Sequence, residues 1–67
     1  MKINLKRLNL AQAQACLTGK EIQERSQISD VSLARIRSGK QEPRPQTVGR
    51  LAKALGVSVE YLIEEAV

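Results

Sequence analysis

The sequence predicts an all-α fold, a single small domain of five short helices. Three observations lead there. Neither β-branched runs nor alternating polarity is sustained, and no Asn-Gly or Asp-Gly hairpin turn occurs. One local pattern recurs along the chain: an apolar residue, a capping residue, then an apolar residue at the fourth helical position, which is a hydrophobic staple. Gly39 and Gly56 fall where two of the helices so defined should end, and Pro45 where another should begin.

The elements follow from that pattern. Ile3, Asn4 and Leu8 open a first helix over about 4–16, with Leu5, Leu8, Ala11 and Ala15 on its apolar face; Asn9 is a competing start. Leu17, Thr18 and Ile22 open a second over 19–26, where Thr18 and Glu21 have capping-box spacing. Ile28, Ser29 and Leu33 open a third over 30–38, ended by Gly39, because the residue after a helix often needs positive φ. Pro45 suits the first turn of a fourth over 45–55, where its missing N–H is no loss, and Gly56 stops it. Val57, Ser58 and Leu62 open a fifth over 59–65. The expected core is Leu8, Ala11, Ala15, Leu17, Ile22, Ile28, Leu33, Ile36, Val48, Leu51, Leu55, Val57, Leu62 and Ile63. Gly49, inside the fourth helix, costs roughly 1 kcal/mol against Ala, and a close helix crossing would explain it.

Composition narrows the function. With 42% hydrophobic and 27% charged residues, the 67-residue chain has the balance of a folded domain rather than a disordered tail. Tyr61 is the only aromatic residue, so the core must be aliphatic. The chain has no histidine, which excludes a His-based triad or acid–base pair. A lone cysteine, Cys16, can form neither an internal disulfide nor a Cys-based zinc site and is expected to be a small buried filler. Neither a cofactor nor a metal is expected. No apolar run approaches the ~20 residues of a membrane span. Asn9, Gln12 and Gln14 break the stretch that a secretory signal would need. Cytoplasmic residence is the expectation.

Charge is unevenly spread. Residues 1–44 carry nine Lys/Arg against four Asp/Glu, and residues 45–67 carry two against three. A basic amino-terminal two-thirds fits a polyanion, although many small soluble proteins are mildly basic without binding one. Only Gln27, Ile28 and Ser29 separate the second helix from the third. Two helices joined so tightly cross steeply, as in a helix-turn-helix spanning about 18–38. At 1.5 Å per residue the third helix is ~13 Å long, and the DNA major groove, ~12 Å wide, admits one such helix. Its Ile28, Leu33 and Ile36 side would face the core, leaving Asp30, Val31, Ala34, Arg35 and Arg37 on or near the exposed side.

At this point the chain resembles the Cro/phage-repressor (XRE-type) helix-turn-helix family, over about residues 8–63. The resemblance is carried by Leu17-Thr18 and the helix they cap, by Ile28-Ser29 through Arg35-Ile36-Arg37-Ser38-Gly39-Lys40 with Pro43, and most specifically by Leu-Ala-Lys-Ala-Leu-Gly-Val-Ser-Val-Glu-Tyr-Leu at 51–62. It implies a compact, lambda-repressor-like five-helix domain that regulates bacterial or phage transcription, as a homodimer on a near-palindromic double-stranded operator. It also implies a nucleoid-associated location. By position, Asp30, Val31, Ser32 and Arg35 match the family's base-reading sites. Thr18, Gly19, Lys20, Ser38, Lys40 and Arg44 match its backbone contacts.

Physical reasons stand beside these assignments. Arg35 can pair with guanine O6 and N7, Val31 can pack on a thymine methyl, and Asp30 can accept from cytosine N4 or simply favour the positive helix end. Basic side chains beside a groove neutralise phosphates and release counterions. Arg37 joins the backbone set: some relatives pair an Arg on the first helix with a Glu on the third, and here those positions hold Gln12 and Arg37, so Arg37 is expected to be free for phosphate. Other departures are Gly19 for the usual Gln, Gln23 for Ala and Gln27 for Gly. Gln27 in a left-handed turn would cost roughly 1 kcal/mol. Tyr61, Leu62, Ile63 and Val67 are either core or dimer contact. Two rivals remain: a protein-interaction module of the same fold (an antitoxin, anti-repressor or assembly partner), and a small enzyme, for which the carboxylates Glu21, Glu24, Glu60 and Glu64 supply no pocket or metal cluster.

Overall fold

A computed structural model describes residues 1–64 and contains five helices among them: α1 (Leu5–Ala15), α2 (Gly19–Ser26), α3 (Asp30–Arg37), α4 (Pro45–Leu55) and α5 (Val59–Leu62). Side chains set four of the five starts. Asn4, Thr18, Ser29 and Ser58 are extended N-caps that accept from the amides of Arg7, Glu21, Ser32 and Tyr61. Asn9 lies within α1, so it starts nothing. Pro45 opens α4 in place of a side-chain cap.

Helix ends turn through the left-handed region. Gly39 (φ 77°) follows α3 and Gly56 (φ 73°) follows α4, each beside an amide that folds back five residues: Lys40 N–H to Arg35 O and Val57 N–H to Ala52 O, both at 3.0 Å. Gln27 takes the same conformation after α2 (φ 59°). Cys16 does so after α1 (φ 55°), and its expected burial is corrected: as a cap residue outside the helix, it is exposed.

The fifth helix is shorter than the expected 59–65. Ile63 leaves it in an extended conformation and bridges antiparallel to Ile3, with Asn4 N–H donating to Leu62 O (2.7 Å) and Glu64 N–H to Lys2 O (2.9 Å). Backbone pairing with the first residues outcompetes another helical turn; Glu65 lies outside the described residues. Ile3, half of the first staple, is thereby buried.

The core is aliphatic. Leu8, Ala11, Ile22, Ile28, Leu33, Ile36, Val48, Leu51, Leu55 and Leu62 are buried as expected; Ile3 and Ala52 join them. Leu17, Val57 and Ile63 are only half-buried against this cluster, and Ala15 is also half-buried. The central α4 packs on α2, α5 and α1, and α3 packs on α2. Gly49 is not a crossing point: a Cβ there would meet nothing within 4 Å. No described helix is long and apolar enough to cross a membrane.

Candidate nucleic-acid interface

Local chemistry fixes the angle between α2 and α3. Ser26, 2% exposed, donates its hydroxyl to Ile22 O (2.6 Å) and accepts from the Ile28 amide (3.3 Å). The turn therefore carries its own hydrogen bonds, and Ile28 drops into the core behind it. Ser29 then caps α3 through the Ser32 amide (3.2 Å). By local pattern alone Ser26 is no more than a helix end. A serine four residues after an apolar helical residue, bonding back to its carbonyl, was the available signal.

The third helix divides cleanly. Leu33 and Ile36 are buried, while Asp30, Val31, Ala34 and Arg35 are exposed. Val31 is 60% exposed, an apolar side chain left in solvent on a polar stripe. Ser32 is half-buried on the flank. At 100° per residue, Val31 and Arg35 share the outermost stripe, and Asp30, Ala34 and Arg37 share the stripe nearer α2. A cleft between the two helices is lined by Gly19, Lys20, Gln23, Asp30 and Arg37, among others, so part of the expected site converges there. Ser38, Lys40 and Arg44 are exposed beyond α3; the Ser38 hydroxyl is turned back to Arg35 O (3.0 Å).

At the start of α2, Thr18 accepts from the Glu21 amide (3.1 Å) and its own amide donates to the Glu21 carboxylate (3.0 Å). The Thr18 N–H is thus occupied, and the amides of Gly19 and Lys20 are the ones left facing outward at this helix start. The Thr18 backbone amide, then its side chain, hold the Glu21 carboxyl below the ordinary carboxylate range.

Two expectations are corrected. Arg37 is not free: Nη1 donates to Asn9 Oδ1 (3.1 Å) and Nη2 to Gln12 Oε1, which holds the half-buried side chain against α1. Asn9 was not foreseen as a partner of Arg37, although its spacing of three from Gln12 puts both amides on one helix face. Leu62 is fully buried, so it is core and not a dimer contact. Tyr61 is half-buried beneath Arg7, whose guanidinium stands 5.6 Å from the ring centre; Ile63 packs on the core, and Val67 lies outside the described residues.

Two capped helices locked across a three-residue turn, the second with an exposed outer stripe, define a helix-turn-helix domain. A family model described as helix-turn-helix matches residues 2–62. The chain belongs to the Cro/phage-repressor (XRE-type) helix-turn-helix family and is a DNA-binding helix-turn-helix regulator, with double-stranded DNA as its partner. No curated protein and no solved structure matches it.

Proposed function

We propose that the protein is a sequence-specific transcriptional regulator of the Cro/repressor type that inserts α3 into the major groove. One observation carries the reading: α3 keeps Val31 and Arg35 exposed side by side on its outermost stripe while its other side is buried. That pairing offers a methyl-packing group and a guanine-reading group to the same groove floor. Asp30 and Ser32 flank them, and Thr18, Gly19, Lys20, Arg37, Ser38, Lys40 and Arg44 supply the phosphate-side contacts.

As a homodimer it presents two copies of α3 about one DNA turn, ~34 Å, apart to a near-palindromic site. Tyr61 and Ile63 are the described residues proposed for that contact. Neutralising 6–8 phosphates gives a slope of log affinity against log salt of about −5 to −7.

Selection of bound duplexes from a random-sequence pool, with sedimentation of the complex, tests this. The expected result is enrichment of a two-fold site carrying two protein copies. Enrichment of no site would overturn sequence-specific reading and favour a protein-interaction module of the same fold with weak or no DNA binding.

A further inference from the structure

The side chains that hold Arg37 are all neutral. Asn9 and Gln12 accept from its two terminal nitrogens, and no described carboxylate pairs with it. Gln12 is itself fixed at its other end, where Nε2 donates to Leu17 O (3.0 Å). Leu17 immediately precedes Thr18, the N-cap of α2. One amide therefore ties together α1, the entry to α2 and the end of α3.

A carboxylate in this place would fix the guanidinium equally well but would cancel its charge. Amides fix it and leave the charge intact. Arginine has five N–H donors in a rigid fork, and the two bonds to α1 leave three unused. Arg37 also lines the α2–α3 cleft with Lys20, Glu24 and Asp30, and neither of those carboxylates forms an ion pair with it. An ordered cation loses less side-chain entropy on binding than a swinging one.

Resting on the DNA-binding reading above, we infer that Asn9 and Gln12 are positioning residues forming a neutral cradle, which presents Arg37 at full charge as a pre-ordered phosphate anchor. Asn9 and Gln12 touch no DNA in this account; they act through Arg37.

The test uses the full chain, a random-sequence duplex as probe, and affinity measured across a salt series. Asn9→Asp keeps the acceptor oxygen but adds the cancelling charge. Thermal stability should be unchanged or higher, affinity at 0.1 M salt should fall about fivefold to tenfold, and the salt slope should shrink by about one unit per bound subunit. Gln12→Leu keeps the charge but loosens the side chain, so affinity should fall with the slope unchanged. In an Arg37→Ala background, Asn9→Asp should leave the slope where Arg37→Ala alone puts it.

An unaltered slope for Asn9→Asp in the otherwise native protein overturns the cradle. So does an equal effect of Asn9→Asp in the Arg37→Ala background, which would mark simple repulsion of DNA by the new carboxylate. A native protein that binds no duplex at all defeats the DNA-binding reading itself, and the cradle with it.

Discussion

Gly49 and Gln27 hold opposite kinds of unused stability. Gly49 is mid-helix with open space where a side chain would go. Gly49→Ala should raise unfolding free energy by roughly 1 kcal/mol, because alanine loses less backbone entropy in a helix. Gln27 is the reverse case, a side chain in the left-handed region at φ 59°. Gln27→Gly should stabilise by about 1 kcal/mol. Urea titration measures both; a loss of stability in either variant would contradict the assigned geometry. Gln27 was legible because the turn position was defined by staples on each side. The left-handed Cys16 was not, since cysteine lacks the chemistry that marks Gly or Asn at such a cap.

Among the elements, the start of α2 couples stability to pH. The Glu21 carboxylate is hydrogen-bonded to Thr18, and its folded pKa lies below its unfolded value. Its contribution is therefore present above the unfolded pKa and lost as pH falls through the folded one. Stability should decline on acidification below about pH 4.5 in the native chain, and Glu21→Gln, which keeps the capping geometry without titrating, should flatten that decline. Equal acid sensitivity in both proteins would remove Glu21 as a contributor. The bounds of α2 and α4 were readable in full because their signals are local: Thr18 with Glu21, Pro45 with Gly56. The end of α5 was not. Pairing of Ile3 with Ile63 joins residues 60 apart, and no local pattern encodes it. The Arg37 contacts to Asn9 and Gln12 escaped for the same reason: they cross from α3 to α1.

Across the whole molecule, the charges sort into those engaged within the fold and those left outward. Lys2 pairs with Glu64 (3.4 Å), and Arg7 covers Tyr61 and donates to its carbonyl (3.3 Å). Both knit the amino-terminal segment to α5 and the residues just after it. Lys20, Arg35, Lys40 and Arg44 are exposed, and none has an ion-pair partner among the described residues. Lys40→Ala should weaken binding to specific and random duplex alike and flatten the salt slope by about one unit per bound subunit. An unchanged slope would take Lys40 out of the interface.

Whether Arg35 reads guanine from the major groove is decided by chemical substitution in the selected duplex. Replacing guanine with 7-deazaguanine deletes the N7 acceptor on the major-groove edge and leaves Watson–Crick pairing intact. The native protein should lose at least about tenfold in affinity at one guanine per half-site, and Arg35→Ala should lose nothing further at that base. Equal affinity of the native protein for the substituted and unsubstituted duplexes at every guanine would contradict guanine reading by Arg35.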